Sequence, residues 1–288
     1  MLAGRFRLVV LLVMLFFLAI GFSEGSRLKI ISDDDTAVSE LQSCEMTTEM
    51  NEPPMNTLGL DPESITFLNW NIYKGNGDNW RRDLSSLAQG HDLMTIQEAK
   101  LDDELIHLLE VNDFNWEMNT AFYLDGAPAG VMTAASVHAV HSCGFRVVEP
   151  FIRVPKSTLI SYYEIDGYEG RLLVANIHGI NFTLGIKAYR EQLEKLYGAI
   201  KQHDGPMIVA GDFNSWSGDR LQEVRELIDR LALSDIDYPV NNKTHVFGNA
   251  IDHVFYRQLE VVSDRVLQVS SSDHNPISVN FRLQAELL

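Results

Sequence analysis

Residues 206–214 read Pro-Met-Ile-Val-Ala-Gly-Asp-Phe-Asn, an apolar run of strand length that ends in polar side chains. Asp212 and Asn214 stand two residues apart, so an extended backbone points both side chains the same way. An Asx turn at a strand end explains these residue types, but it does not explain their position directly after Met-Ile-Val-Ala. The stretch therefore predicts a buried strand that delivers a polar pair to a pocket.

The same form, an apolar strand that ends in polar groups, recurs along the chain. Ile65–Asn71 ends in an asparagine, and His91–Glu98 ends in Gln-Glu. Amphipathic helices are predicted over Ala188–Gln202 and Asp219–Leu233 from their 3.6-residue period. Sheets covered by helices indicate an α/β or α+β layered domain. The other predicted strands are Thr158–Ile165 and Arg171–His178, joined by a turn, then Ile251–Tyr256, Val266–Val269 and Ile277–Phe281.

The polar residues at these strand ends form a set. Each one alone has an ordinary explanation: Asn71 could cap a turn, and a lone His178 is more often a hydrogen-bonded core histidine. Together they predict a polar pocket at one edge of a core. Carboxylate and amide oxygens favour a hard cation, Mg²⁺ or Mn²⁺, over zinc. The set is Asn71, Glu98, His178, Asp212, Asn214, Asp252, Asp273 and His274.

The composition is that of a globular protein with an acidic balance. The chain has 288 residues, of which 45% are hydrophobic and 22% charged, which excludes collagen-like, disulfide-framework and wholly disordered classes. Lys and Arg total 23 against 40 Asp and Glu, for a net charge of −17. The chain has too few Lys and Arg residues relative to its acids to form the basic surface that binds nucleic acid by charge alone. If the protein acts on phosphates, a bound metal is the obvious source of positive charge.

The first residues have the pattern of a targeting segment. Arg5 and Arg7 precede an uncharged apolar run of fifteen residues, 8–22, and small residues follow. We interpret residues 1–25 as a signal peptide or an N-terminal membrane anchor, with a buried core helix as the third alternative. The domain is therefore expected to be exported to the periplasm or outside the cell, or to be tethered to the membrane.

Residues 26–64 are predicted to be an acidic flexible linker. Residues 31–64 contain nine Asp and Glu and no Lys or Arg. No helical or alternating period persists there. The linker contains Cys44 and the domain, residues 65–288, contains Cys143. Export would permit a disulfide between them, but nothing in the sequence shows that the two thiols meet.

The motifs resemble those of the endonuclease/exonuclease/phosphatase superfamily, which includes deoxyribonuclease I, apurinic endonucleases, bacterial sphingomyelinases and inositol-polyphosphate phosphatases. The resemblance covers residues 65–288, and longer strings such as 176–182 look closer still to the bacterial YafD group. It implies a deoxyribonuclease I-like α/β fold, a four-layer sandwich of two packed mixed β-sheets flanked by helices. The motifs are Leu68-Asn69-Trp70-Asn71, Gln97-Glu98, Gly211-Asp212-Phe213-Asn214, Ile251-Asp252-His253 and Ser272-Asp273-His274-Asn275-Pro276.

The resemblance implies catalytic roles for five residues. Asp212 and Asn214 would position the attacking water or the phosphoryl oxygens. His274 would contact the phosphate or act as acid or base, with Asp252 fixing its tautomer. His178 would assist the leaving group, as in the deoxyribonuclease and sphingomyelinase branch.

Other matched residues would hold the metal and the substrate. Glu98 would be the principal Mg²⁺ or Mn²⁺ ligand, with Asn71 and Asp273 beside it. The residues expected to contact substrate are Lys74, Asn181 and Trp216, and for Trp216 packing in the core is the alternative.

The sequence predicts a metal-dependent phosphoesterase that hydrolyses phosphodiester bonds, with an endonuclease as the first hypothesis. A phosphatase or sphingomyelinase-like phospholipase is the second, and a silent binding module the third. The predicted partner is a phosphate-ester substrate, with nucleic acid as a candidate. Membrane contact is expected only through an uncleaved N-terminal segment, and the chain is expected to be a monomer.

Overall fold

The computed structural model describes residues 29–33, 38–39, 44 and 58–287. The strands in these ranges are β1 Lys29–Ser32, β2 Val38–Ser39, β3 Ile65–Asn71, β4 Leu93–Lys100, β5 Asn115–Leu124, β6 Ala127–Ala135, β7 His141–Val148, β8 Pro155–Glu164, β9 Arg171–His178, β10 Met207–Asp212, β11 Ser234–Asp235, β12 His245–Val246, β13 Asn249–Ala250, β14 Asp252–Arg257, β15 Leu259–Val266 and β16 Ile277–Leu283. The helices are α1 Trp80–Ala88, α2 Asp103–Val111, α3 Lys187–Ile200 and α4 Gly218–Leu231, with single 3₁₀ turns at Tyr73–Gly75 and Ala285–Leu287. Across the described ranges, every helix is too short or too polar to cross a membrane.

The strands form two mixed sheets and a separate hairpin. The first sheet has the order β15-β16-β3-β4-β6-β5-β1-β2, and the second has the order β11-β14-β10-β9-β8-β7. The pairs β3–β4 and β9–β10 are parallel, while their neighbours are antiparallel. Strands β12 and β13 pair only with each other. The parallel pairs matter for function because their carboxyl ends lie at a common edge.

Alternation of side chains along the strands produces four layers. Phe67 of β3 lies in the core between the sheets, in the same cluster as Val174 and Ile208 of the second sheet. The next residue, Leu68, faces the other way and packs in the cluster that contains Leu84 of α1. Because successive side chains point to opposite faces, each sheet buries one face on the other sheet and one on helices. The second sheet does so with α3 and α4. The predicted four-layer sandwich is confirmed.

Two of the four helices follow from the sequence pattern. The predicted helices Ala188–Gln202 and Asp219–Leu233 correspond to α3 and α4, and each end differs by no more than two residues. Helix α4 begins after Ser217, whose side chain accepts the N–H of Arg220. Helices α1 and α2 are absent from the prediction, since each has only nine residues, fewer than the roughly 11–18 over which a helical period is recognised.

One strand prediction, Val266–Val269, is wrong. The strand in this region is β15, which ends at Val266 and pairs with β16 at the edge of the first sheet. Its outer face carries exposed Glu260 and Arg265, so it lacks a continuous apolar run. The residues after Val266 leave the sheet as a loop that carries Asp273 and His274.

Part of the segment predicted to be a flexible linker is in contact with the domain. Strand β1 pairs antiparallel with β5 and extends the first sheet. Ile30 is buried in a cluster with Val131 and Leu159, and Leu60 is also buried. These apolar side chains gain enough from burial to hold the chain on the domain. The predicted signal peptide or anchor, residues 1–25, and the linker residues 26–28, 34–37, 40–43 and 45–57 lie outside the described residues.

The two cysteines form a disulfide. Cys44 and Cys143 are 99 residues apart in sequence, and their Cα atoms are 5.4 Å apart. Cys143 lies on β7 and is 1% exposed. The sequence leaves this pairing open, and the structure shows that it links Cys44 to the second sheet.

We expect the double substitution Cys44→Ala with Cys143→Ala to lower the free energy of unfolding by about 2–4 kcal/mol, because a long closed loop restricts the unfolded chain. Urea denaturation of the oxidised protein and of the variant measures the difference. Adding a reductant should destabilise the parent to a similar extent and leave the variant unchanged. Equal stability of parent and variant would contradict the disulfide.

Candidate active site

The predicted site residues meet at one edge of the sandwich, where β3, β4, β9 and β10 end and β14 begins. Strand pairing sets Asp212 of β10 directly between His178 of β9 and Asp252 of β14. Neighbouring strands lie about 4.8 Å apart, so these three side chains stand side by side. From the first sheet, Asn71 donates its Nδ2–H to Asp212 Oδ2 at 3.1 Å. This hydrogen bond joins the two sheets at the site.

His274 is held against Asp252 by a fixed loop. Its Nδ1 lies 2.8 Å from one carboxylate oxygen of Asp252 and 3.0 Å from the other. Trp70 donates its indole N–H to the His274 carbonyl at 2.9 Å. Ser272 donates its hydroxyl to the Asn71 carbonyl at 2.7 Å. Trp70 and Asn71 both belong to β3, so these hydrogen bonds anchor the loop to the first sheet. The His274 imidazole on this loop contacts Asp252 of the second sheet.

The charges of this pair are set by burial and by neighbouring carboxylates. Burial alone would lower the pKa of His274, but Asp252 and Asp212 raise it to about 10. The imidazole is therefore protonated at neutral pH, and both ring nitrogens donate. Burial raises the pKa of Asp212, and the His274 imidazolium, whose Nε2 is 3.9 Å away, opposes that rise.

Glu98 reaches the cavity through an irregularity in β4. The register of β4 against β6 shifts between Ile96 and Ala99, and Glu98 has a φ of +53°. A bulge of this kind re-aims a side chain out of the regular alternation. Lys74 forms an ion pair with the Glu98 carboxylate. Burial alone would raise the pKa of Glu98, but the nearby ammonium groups, Lys74 first, lower it, so the carboxylate is ionised.

Left-handed backbone recurs around the cavity. Tyr73, Lys74 and Asn214 have φ values of 53°, 56° and 50°, and all three line the cavity with Glu98. Non-glycine residues avoid this region at a cost of about 1–3 kcal/mol each, and such residues cluster at functional sites. The surrounding structure therefore holds this edge in a defined, strained arrangement.

Lys156, at the start of β8, is a site residue that the sequence analysis missed. Its Nζ lies 2.7 Å from His178 Nε2. An ammonium group only donates, so Nε2 accepts and the imidazole is neutral. Burial and the Lys156 charge lower the pKa of His178 well below its usual value. No local sequence pattern marks Lys156 as a site residue. The pairing of Thr158 with Ile177 brings it to the end of β9, next to His178.

Arg220 of α4 is a second missed residue, and it is almost fully buried. Its guanidinium donates to the carbonyls of Asn181 at 2.9 Å and Asn214 at 2.8 Å, and it lies 4.3 Å from the centre of the Trp216 ring. The Trp216 indole N–H donates to Asn181 Oδ1 at 3.0 Å. A buried cation thus fixes the wall that contains two of the predicted substrate contacts. In the sequence, Arg220 looks like an ordinary surface residue of an amphipathic helix.

A cavity of about 470 Å³ opens between these groups. Asn71 and Asp252 lie behind its surface, bonded to Asp212 and His274. All eleven predicted site residues therefore gather at one place, while their individual roles stay predictions. The predicted residues that line the cavity are Lys74, Glu98, His178, Asn181, Asp212, Asn214, Trp216, Asp273 and His274.

The carboxylate and amide oxygens at this edge are the donor types that a hard divalent cation prefers. Asp212, Asp252 and His274 offer atoms within 4.8 Å of one another. The Nδ1–H of His274 is already donated to Asp252, so within this trio the His274 Nε2–H is the group suited to donate to a phosphoryl oxygen. Asn71 Oδ1 accepts one N–H, from Tyr73, and keeps a second lone pair. The predicted ligand oxygens are those of Glu98, Asn71 and Asp273.

Comparisons with known proteins point to one family. The model of the endonuclease/exonuclease/phosphatase family matches residues 68–274. A UPF0294 protein from Vibrio campbellii is 37% identical over 265 residues, covering 91% of this chain and 91% of its own length. Such relatives form the YafD group, as the sequence resemblance predicts.

Two solved structures are similar in fold. The human Nocturnin catalytic domain with bound sulfate gives a TM-score of 0.59 at 18% identity, covering 80% of this chain and 97% of that one. ANGEL2, a 2′,3′-cyclic phosphatase, gives a TM-score of 0.59 at 14% identity, covering 76% of this chain and 95% of that one.

We expect Asp252→Asn to lower the pKa of His274 by about 1–3 pH units, because it removes the carboxylate bonded to Nδ1. An NMR titration of the histidine side chains in EDTA measures the change. Asp273→Asn is the matched control: this carboxylate is more than half exposed and lies 4.0 Å from His274 Nε2, so its effect should be smaller. An unchanged His274 titration in Asp252→Asn would contradict the proposed charge state.

Proposed function

This chain belongs to the endonuclease/exonuclease/phosphatase family, and we propose that it is a divalent-metal-dependent phosphoesterase that hydrolyses phosphodiester bonds. The observation that carries the proposal is the cavity in which a carboxylate-held imidazolium, His274, faces Asp212 and Glu98. In this proposal, one phosphoryl group bound in the cavity contacts a cationic donor (His274), the metal held by Glu98, and a candidate base (Asp212). Hydrolysis of a phosphate ester needs these three elements.

His274 acts on the phosphoryl oxygens in this proposal. Its Nδ1–H is donated to the Asp252 carboxylate, so its Nε2–H is directed toward Asp212 and the cavity. A protonated imidazole donates to a phosphoryl oxygen and cannot serve as the base. The base is therefore Asp212, which accepts a proton from the attacking water. Asn214 holds Asp212 in place by donating its backbone N–H to Oδ1 at 2.9 Å.

Glu98, Asn71 and Asp273 hold the metal ion in this proposal. A bound Mg²⁺ or Mn²⁺ supplies a Lewis acid that neutralises the phosphoryl charge and offsets the surrounding carboxylates. The Lys74 ammonium already neutralises part of the Glu98 charge. Lys74 is therefore positioned to move between Glu98 and a phosphoryl oxygen.

His178 and Lys156 lie where they can assist the leaving group. Lys156 donates one N–H to His178 Nε2 and has two further donors. His178 Nε2 is also 3.5 Å from Asp212 Oδ2. A cation with free donors stabilises the negative charge that develops on a departing oxygen.

Two substrate classes remain candidates for the site. The sequence predicts a nuclease, and similarity to a 2′,3′-cyclic phosphatase and to a domain with bound sulfate supports phosphate-ester chemistry in general. The lysines that line the cavity, Lys74 and Lys156, are engaged by Glu98 and His178. Exposed phenylalanines beside the site, Phe151 and Phe182, favour the second candidate, a lipid phosphate ester.

We expect the full chain to hydrolyse bis-p-nitrophenyl phosphate with Mg²⁺ or Mn²⁺ and to lose that activity in EDTA. Glu98→Gln and His274→Ala should each lower kcat about 10²–10⁴-fold, since each removes a group that acts on the phosphoryl centre. Plasmid DNA, RNA, a phosphomonoester and sphingomyelin form the substrate panel.

Two matched controls separate the site from general damage. Glu260→Gln, on the exposed face of β15, and His107→Ala, on the exposed face of α2, should keep full activity. Circular dichroism should show that the site variants stay folded. Near-normal hydrolysis by purified Glu98→Gln would refute the assignment of the metal ligand.

A further inference from the structure

Exposed aromatic side chains are concentrated at one edge of the sandwich. This edge, where β3, β4, β9 and β10 end and β14 begins, contains the cavity and is called the catalytic edge below. Each one lies where a strand of this edge meets a loop or a hairpin: after β3, at the β5–β6 turn, between β7 and β8, between β9 and α3, and in the β12–β13 hairpin. Leu184, in the same loop as Phe182, is 82% exposed. Within the described residues, the exposed aromatic side chains are Tyr73, Tyr123, Phe151, Phe182 and Phe247.

This distribution is not what random surface exposure would produce. Scattered apolar residues on a surface need no explanation, but a group confined to one side marks an interaction site. At the opposite edge of the sandwich, the exposed large apolar residues in the described part of the chain are aliphatic, such as Leu58 and Val111. Aromatic rings around a polar site are typical of surfaces that rest at a membrane–water interface.

The direction of β1 supplies an independent observation. Strand β1 is antiparallel to β5, with Ile30 opposite Asn119 and Ser32 opposite Glu117. Strand β5 runs toward the catalytic edge, where Phe122 lines the cavity. Lys29, the first residue of β1, therefore lies at the end of the strand that faces the catalytic edge.

The sequence before β1 contains an apolar run that is only a few residues away from Lys29. Residues 8–22 are uncharged and apolar, and six residues, 23–28, separate them from Lys29. Six residues reach at most about 20 Å when fully extended. A membrane segment formed by residues 8–22 would therefore hold the catalytic edge near the bilayer surface.

We propose that the catalytic edge docks on a lipid bilayer, with Phe151, Leu184 and Phe247 inserted at the level of the head groups. Resting on the proposed phosphoesterase activity, this identifies the substrate as a phosphate ester of a membrane lipid. The site then faces the membrane, and a head-group phosphate enters the cavity from the bilayer side.

The charge of the chain selects the kind of bilayer. The net charge of −17 opposes attraction to anionic lipids. Insertion of apolar side chains needs no such attraction and is insensitive to salt. A zwitterionic bilayer of phosphatidylcholine is therefore the matching surface.

The orientation test uses the full chain with a dye attached to one new cysteine, at Phe247→Cys or Leu184→Cys, while the native disulfide stays closed. The dye is environment-sensitive, and the probe is a phosphatidylcholine vesicle that contains a nitroxide lipid. We expect a blue shift, brighter emission and quenching by the nitroxide at both positions. Val111→Cys, at the opposite edge, is the matched control and should show none of these changes.

This test separates docking from attachment through the N-terminal segment alone. If the chain binds to the vesicles but the dye at positions 247 and 184 shows neither a spectral shift nor quenching, the proposal is overturned. An equal response at position 111 would overturn it as well, because the catalytic edge would then have no special orientation.

The substrate test compares a soluble with a membrane substrate. We expect Phe151→Ser with Leu184→Ser to leave hydrolysis of bis-p-nitrophenyl phosphate unchanged and to lower hydrolysis of vesicle sphingomyelin or phosphatidylcholine by at least about ten-fold, because two apolar anchors are lost. Val111→Ser with Val262→Ser is the matched control and should lower neither rate.

The outcomes distinguish the two proposals. A docked chain that hydrolyses DNA but no vesicle lipid would refute the lipid substrate and support the nuclease. A docked chain without activity on any phosphate ester would refute the phosphoesterase and leave the docking surface standing.

Discussion

The site depends on the placement of β10 between β9 and β14. This pairing puts the buried carboxylate of Asp212 beside His178 and Asp252. A buried carboxylate is unfavourable unless its oxygens are hydrogen-bonded and its charge is opposed. Donors from Asn71 and Asn214 supply the hydrogen bonds, and His274 supplies the opposing charge. Since these donors come from separate loops and sheets, the same interactions that neutralise Asp212 also close the edge around the cavity.

The local charges differ from those of the whole chain. The chain is strongly acidic, yet inside the cavity each of two carboxylates meets a cation: Glu98 meets Lys74, and Asp212 faces His274. Paired charges keep the groups ionised while they are shielded from water. Under the proposed phosphoesterase function, this pairing preorganises the site for an anionic ester.

Much of the fold and most of the site could be predicted from the sequence. Strands such as Met207–Asp212 carry an uninterrupted apolar run, and the polar residues after them are visible as a break in that run. The short helices α1 and α2 were not predicted because nine residues are fewer than the roughly 11–18 over which a helical period is recognised. Strand β1 was not predicted because an isolated four-residue segment beside an acidic stretch shows no alternating pattern. Its strand conformation depends on pairing with β5.

The sequence by itself determined which side chains would be delivered to strand ends, because strand formation and alternation are local properties of the chain. Only the tertiary structure decided that Lys156 donates to His178, that Arg220 supports the wall at Asn181, and that a bulge turns Glu98 inward. It also decided the Cys44–Cys143 bond. Each of these depends on residues far apart in sequence whose distance is set by sheet register and packing, and no local pattern encodes that distance.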